Sequence, residues 1–279
     1  MVYQQTKLRK WIDINKIKWF EISANINAID LLKNHPKKIN WSILSSNSYA
    51  IELIEDNVDK INWKNLSKNS KAIHILKKNL DKIDWNNLSV NKNAIEILKA
   101  NPEKINWKVL SSNPNAVELL KENPNKIDWH YLSTNPNAID IIKDNLDKID
   151  WNLIALNENI EILNLLKENP SKINWYLLSK NKYAIDLLNN NIDRIEWNLL
   201  SRNENAIHLL EKNQEKINWY GLSLNPSIFI ETYNYELIKE NNKYLNEEII
   251  IKALHPERML RLMKEYGEDE IYKCYFDDD

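Results

Sequence analysis

The sequence predicts an all-α fold, an α-solenoid of about ten two-helix repeats of 22 residues with a cap at each end. Tryptophan recurs every 22 residues from Trp19 to Trp151, and again from Trp175 to Trp219 after a two-residue delay. Each period contains two apolar clusters with helical spacing, and neither shows the alternation of a strand. Because a stacked array is one elongated unit, these observations override the one or two domains that the length would suggest.

The repeat formed by residues 127–148 shows both helices. Trp129 and Leu132 are three residues apart and predict a short first helix, and residues 138–142 predict an amphipathic second helix. Such short helices are marginal alone, so they must be stabilised by stacking on neighbouring repeats. We therefore expect each tryptophan to be buried between adjacent repeats, and the alanine at position 138 and its equivalents to mark close helix contacts.

Polar residues mark the helix ends in the same repeat. Asp128 is a good N-cap for the first helix, and Asn135 followed by Pro136 predicts the start of the second. Asn145 is expected to end the second helix in a left-handed conformation, which would explain an array with only two glycines. A leucine-rich repeat has a suitable period, but its L-x-x-L-x-L consensus is missing.

The predicted domain organisation has three parts: an N-terminal cap (1–16), the repeat solenoid (17–226) and a C-terminal helical cap with an acidic tail (227–279). In the repeat that follows Trp151, two residues are inserted around 160–164, which predicts a longer second helix or a bend between two arms. Within the last part, one helix should run from Asn246 to Leu254, and another should begin at Pro256 and end at Gly267.

Composition points to a soluble intracellular protein. The formal net charge of −2 argues against a general electrostatic affinity for nucleic acid or membranes. Cys274 is the single cysteine, so no disulfide can form within the chain. The first residues have no signal-peptide pattern and no apolar run is long enough to span a bilayer, so we expect no membrane partner.

The repeat unit I-N/D-W-x-x-L-S-x-N-P-N-A-I-x-L-L, with the closing segments 225–229 and 253–258, resembles the short-repeat proteins of giant, mimivirus-like DNA viruses. The resemblance covers nearly the whole chain. It implies a viral source and a location in the host cytoplasm, with the virion as an alternative. It carries no catalytic residues.

The sequence offers no pattern for catalysis, and we expect a protein that is not an enzyme and has no cofactor or metal. Serine recurs four residues after most tryptophans, but no histidine and acid recur with it. A serine at the end of a short helix bonds to the preceding or following turn. The five histidines lack metal-ligand spacing, and no glycine-rich phosphate loop occurs.

A ladder of basic residues raises nucleic-acid binding as the alternative function. One cation per repeat could track a phosphate backbone. Acidic residues lie beside most of these cations, so the ladder should bind weakly at physiological salt. The ladder contains Lys38, Lys60, Lys82, Lys104, Lys126, Lys148, Lys172, Arg194 and Lys216.

Protein binding is the preferred function, by a monomer that presents an extended surface. Two positions after the tryptophan, the outward residue is mixed in the first four repeats (Glu21, Ile43, Asn65, Asn87) and turns apolar from Val109 onward, whereas residues that pack a repeat array should stay constant. Exposed apolar and tyrosine-rich surface is typical of interfaces, although extra core packing would also explain the pattern. The predicted site comprises Tyr131, Leu153, Tyr176, Leu177, Leu199 and Tyr220. End-to-end self-assembly is the third interpretation.

Overall fold

The computed structural model describes residues 4–233, 238–239, 252–268 and 271. Its contacts divide the chain into two compact units, Thr6–Ile230 and a second unit formed by Met1–Gln5 with Glu231–Asp279. The first unit holds the ten repeats and confirms the predicted all-α solenoid.

Each repeat begins with a helix of about one turn that starts at the tryptophan, here called the tryptophan helix. Except in the first repeat, where Lys18 makes no capping bond, the residue before the tryptophan caps this segment; in the sixth repeat, for example, Asp128 accepts the backbone N–H of Tyr131 at 3.0 Å, as predicted. The tryptophan helices are Trp19–Ile22, Trp41–Leu44, Trp63–Leu66, Trp85–Ser89, Trp107–Leu110, Trp129–Leu132, Trp175–Leu178, Trp197–Leu200 and Trp219–Leu224, with the 3-10 helix Leu153–Leu156 in the seventh repeat.

The second helix of the repeat, here called the outer helix, begins directly after the recurring alanine in most repeats. It is shorter than expected because the asparagine at position 135 and its equivalents form a separate turn, accepting the N–H two residues on. Four such turns are 3-10 helices: Ser48–Ala50, Lys182–Ala184, Glu204–Ala206 and Pro226–Ile228. The outer helices are Ile29–Asn34, Ile51–Glu55, Ile73–Lys77, Ile95–Lys99, Val117–Lys121, Ile139–Lys143, Ile160–Glu168, Ile185–Asn189 and Ile207–Lys212.

The asparagine that ends the outer helix does so differently from the prediction. No non-glycine residue in the described part of the chain has a positive φ. Instead, the amide of Asn101 donates to the carbonyl of Ile97 at 2.8 Å, and Asn145 does the same to Ile141, which satisfies a free carbonyl of the last turn. Short 3-10 turns follow at Pro36–Lys38, Val58–Lys60, Leu80–Lys82, Pro102–Lys104, Pro124–Lys126, Pro170–Lys172, Ile192–Arg194 and Gln214–Lys216.

The core consists of columns that repeat along the array. The leucine three residues after each tryptophan, the alanine and the middle leucine or isoleucine of the outer helix are fully or almost fully buried, as in Leu110, Ala116 and Leu120. The tryptophans themselves are only half-buried and lie against this core. The expectation of a fully buried tryptophan ladder is therefore wrong, because the indoles cover the edge of the core and smaller side chains fill it.

The array closes on itself, which the sequence pattern did not predict. The first tryptophan helix, Trp19–Ile22, packs against the last, Trp219–Leu224, as consecutive tryptophan helices do elsewhere. Lys18 donates its N–H to Ser223 Oγ at 2.8 Å, and the amide of Asn25 donates to the carbonyls of Ser223 and Asn225. The unit Thr6–Ile230 is thus a ring, and we call the junction between its tenth and first repeats the seam.

Two chain ends complete the tenth repeat together. It has no outer helix; after Ile228 the chain forms a strand, Phe229–Tyr233, that pairs with the N-terminal strand Gln4–Leu8. Arg9 also donates its N–H to the carbonyl of Ile228 at 2.9 Å. Residues 6–16, expected as a cap, therefore supply the second half of the last repeat.

The seventh repeat carries the insertion as a longer outer helix, Ile160–Glu168, as the sequence predicted. Ala155 replaces the usual serine, so the backbone bond that serine receives from the next repeat is missing there. In the second unit, the helix Pro256–Tyr266 begins and ends as predicted, and Gly267 has a φ of 96° that favours glycine. Most of the helix predicted from Asn246, and the acidic tail, lie outside the described residues.

Candidate functional site

Serine and asparagine columns hold the repeats together and are scaffold. Each serine donates its Oγ to the tryptophan carbonyl four residues back and accepts the N–H before the next tryptophan; Ser111, for example, bonds to Trp107 and Asp128. Each asparagine two residues after the serine position donates its amide to two carbonyls of the preceding repeat, at 2.8–3.2 Å around the whole ring. We call this column the asparagine ladder. It is invariant in all ten repeats of the sequence, where it predicted only a helix cap.

The basic ladder lies on the tryptophans. Lys104 Nζ is 4.6 Å from the centre of the Trp85 ring, and Arg194 stacks on Trp175 at 5.1 Å. Lys16, which precedes Trp19, takes the same place over Trp219 at 5.2 Å and so continues the ladder across the seam. These cations already serve a cation–π role in the fold, where each contributes about 0.5–1 kcal/mol at an exposed site.

The tryptophan helices lie on the inner side of the ring. Their neighbours are joined through short side chains and backbone groups, whereas neighbouring outer helices are joined by ion pairs such as Lys33–Glu52 at 3.8 Å. Neighbouring outer helices also leave a groove between them, lined by Pro114, Val117 and Ile141 among others, so they are spaced more widely than the tryptophan helices. In a closed ring, the elements with the shortest spacing between neighbours lie nearest the ring axis, and here these are the tryptophan helices.

The six predicted site residues divide into two groups. Tyr131, Leu153, Leu177 and Leu199 are half-buried, as the tryptophans are, and Leu177 packs against the core. Their apolar character therefore has a packing explanation. Tyr176 and Tyr220, one residue nearer the tryptophan, are exposed by 58% and 47%. Only these two fulfil the expectation of an outward aromatic surface.

Closure adds a third aromatic side chain that the predicted site did not include. Phe20, in the position equivalent to Tyr176 and Tyr220, is 56% exposed. Since the first repeat follows the tenth in the ring, Phe20 and Tyr220 occupy the same position in adjacent repeats. We call Tyr176, Tyr220 and Phe20 the aromatic strip; they lie in the eighth, tenth and first repeats, and Asn198 holds the equivalent position in the ninth. At the equivalent positions the second to fifth repeats have Ser42, Lys64, Asn86 and Lys108.

A buried carboxylate lies within this strip. Glu21 is 5% exposed and is the only charged side chain that is buried among the residues whose burial the structure describes. Its Oε1 has no hydrogen-bond partner within that part of the chain. Interaction with this carboxylate, first by hydrogen bonding and then by charge, raises the pKa of Tyr220 above its ordinary value. An unpartnered buried acceptor costs about 1–3 kcal/mol, and more when it is charged.

The tenth repeat has two further features, both at its junction with the ninth. Gly221 occupies the position of Leu199 and Leu177, and a Cβ there would lie 2.9 Å from the Asn198 carbonyl oxygen. The glycine is thus required by a close backbone approach. The Arg202 guanidinium stacks on the Tyr220 ring at 5.4 Å, which shows that this ring already accepts a cation on one face.

Other charged groups pair along the ring. Lys182 bridges Glu158 at 3.2 Å and Glu204 at 3.0 Å, and its hydrogen bond with Glu204 is the main cause of its raised pKa. His130 Nδ1 lies 2.6 Å from Asp150. Burial acts to raise the pKa of Asp150, but the N–H groups of Leu153 and Asn152, together with His130, outweigh it and hold that pKa below its ordinary value.

Within the described residues, no group of three or more His, Cys, Asp or Glu side chains is arranged to hold a metal ion. None of the helices in the described part of the chain is both long enough and apolar enough to cross a bilayer. Comparison with known protein families, with curated proteins and with solved structures found no match to the chain. The resemblance to giant-virus repeat proteins, with the host cytoplasm that it implies, therefore stays a prediction.

Proposed function

We propose that the ring is a protein-binding scaffold, not an enzyme, and that it holds an apolar segment of a partner protein against the aromatic strip. The observation that carries the proposal is the exposure of Phe20, Tyr176 and Tyr220 on one part of the inner side. Large exposed aromatic side chains grouped together are typical of interfaces. Packing gives no reason for them, since serine, lysine and asparagine occupy the same position in other repeats.

Closure changes how such a scaffold would work. An open solenoid offers a concave surface whose ends can flex, but a ring holds its inner positions fixed relative to each other. A binding surface that is already ordered loses little conformational entropy when the partner binds. Closure also covers both end repeats of the unit Thr6–Ile230, so end-to-end stacking through a weak cap, the third interpretation, loses its support.

The experiment starts from peptides selected from a random library on the immobilised full chain. Their affinities are then measured by fluorescence anisotropy for Tyr176→Ser and for Tyr49→Ser, a matched control whose tyrosine is 55% exposed at a different position. Tyr176→Ser should weaken the selected peptides by about five- to thirty-fold, as expected for an interface tyrosine, and Tyr49→Ser should have little effect. Equal affinities in wild type and Tyr176→Ser would refute the proposed surface.

A further inference from the structure

Glu21 departs from the rule that every other described repeat follows at its position. Two residues after the tryptophan, the remaining repeats carry uncharged side chains such as Ile43 and Leu177, or the glycine at 221. These side chains are compatible with the ring, so repeat packing does not require a carboxylate. Glu21 nevertheless lies buried with a free acceptor atom, Oε1. A buried carboxylate with one unpartnered oxygen is an arrangement that a cationic ligand would complete.

The surroundings of Glu21 are those of a cation site. Tyr220, an exposed ring on the helix that packs against that of Glu21 across the seam, offers a π face. One face of Tyr220 already carries the Arg202 guanidinium, with its centre 5.4 Å from the ring. An aromatic ring beside a carboxylate is a combination that recognises ammonium and guanidinium groups.

We propose that Glu21 and Tyr220 form a binding site for a basic side chain, lysine or arginine, of the partner segment. The cation reaches Glu21 Oε1 when the half-exposed Tyr220 ring turns aside, so the Tyr220 hydroxyl competes with the ligand for the carboxylate. This inference deepens the proposed function, because it names the chemical group that the aromatic strip would select. It is tested without any protein partner, so the two proposals can fail separately.

Binding is tested with derivatives of single amino acids, and it is followed by the NMR signals of the two glycines. The sequence has two glycines, so the full chain labelled with ¹⁵N-glycine gives one signal from Gly221, beside Tyr220, and one from Gly267 as an internal control. N-acetyl-lysine methylamide and N-acetyl-arginine methylamide are titrated against N-acetyl-norleucine methylamide, which lacks the charge. At least one basic compound should shift Gly221 in a saturable way and leave Gly267 unchanged, and the norleucine compound should shift neither.

Variants test whether Glu21 is the residue that binds the basic compounds. Glu21→Gln should abolish the shift, and Glu103→Gln, at an exposed glutamate in the turn that ends the fourth repeat, should leave it unchanged. Tyr220→Phe should bind the same compound about two- to twelve-fold more tightly, because it removes one competing hydrogen bond. If Glu21→Gln does not fold, Tyr220→Phe decides alone. The proposal is overturned by the absence of any shift, by an equal shift with the norleucine compound, by a shift that survives in Glu21→Gln, or by unchanged affinity in Tyr220→Phe.

Discussion

Replacing an asparagine of the ladder by alanine should destabilise the ring equally at the seam and far from it. Asn113 donates to the carbonyls of Ser89 at 3.0 Å and Asn91 at 3.1 Å, and accepts the N–H of Asn115 at 3.0 Å. With a net contribution of about 0.5–1.5 kcal/mol for each bond, Asn113→Ala should cost about 1.5–4.5 kcal/mol. The upper half of that range is expected, because the abandoned groups stay buried.

Asn25 makes the same three bonds: two cross the seam to the carbonyls of Ser223 and Asn225 at 2.9 and 3.0 Å, and one accepts the N–H of Asn27 at 3.0 Å. Asn25→Ala should therefore lower the free energy of unfolding in urea as much as Asn113→Ala, and Asn125→Ala, at an exposed turn position, should change it little. In an open array Asn25 would be an end residue with few bonds to lose. A cost below about 0.5 kcal/mol for Asn25→Ala, with a large cost for Asn113→Ala, would refute ring closure.

The remaining predictions concern the core, pH and charge. Leu110→Ala should cost about 2–5 kcal/mol in urea melts, and Trp107→Ala only about 2–3 kcal/mol because part of its ring stays exposed; a larger cost for Trp107→Ala than for Leu110→Ala would contradict the packing described. The lowered pKa of Asp150 means that its ionised form contributes stability above pH about 4, and that this contribution is lost as the pH falls through the folded-state pKa. The difference in stability between wild type and Asp150→Asn should accordingly shrink in melts below pH about 4, and a constant difference would show that the carboxylate is not stabilised. Replacing Lys82, Lys104, Lys126 and Lys148 with Gln should lower stability modestly, by about 0.5–1 kcal/mol for each cation–π interaction that the change removes, and should leave peptide affinity unchanged. If wild type binds single-stranded RNA at physiological salt and this variant does not, the ring is a nucleic-acid-binding protein.

Local features of the repeat were predictable from the sequence because each depends on residues close in the chain. The helix caps, the serine bonds, the buried alanines, the lengthened helix after Ile160 and the helix at Pro256 all follow from such patterns. The partial exposure of the tryptophans was not predictable from the sequence, because an amphipathic pattern indicates which face of a helix turns inward but not how deeply a large ring is covered. Leu153 and Leu199 were overestimated as surface residues for the same reason.

Closure depends on curvature, which the repeat pattern does not encode directly. Adjacent repeats with the same contacts form an open spiral or a ring according to the turn between them, and ten repeats close only if each contributes a tenth of a full turn. One feature of the sequence could have indicated ring closure. Trp219 lacks the basic residue that follows most other tryptophans after 19 residues, and Lys16 stands three residues before Trp19 with no tryptophan ahead of it in register. The two partial repeats add up to one whole repeat.

A last prediction separates structural from functional reasons for Glu21. If the carboxylate serves the fold, removing it should destabilise the ring; if it is kept for a ligand, an apolar side chain should fit better. Ile43 and Leu177 occupy the equivalent position in other repeats, so Glu21→Leu has a precedent within the same molecule. Replacing a buried, poorly partnered charge by an apolar group of similar size is often neutral or stabilising by about 1–4 kcal/mol. Glu21→Leu should therefore unfold at the same or a higher urea concentration than wild type while losing the Gly221 response to lysine and arginine compounds. A loss of more than about 1 kcal/mol would show that the carboxylate supports the seam, because the group would then be stabilising where a buried charge alone is not.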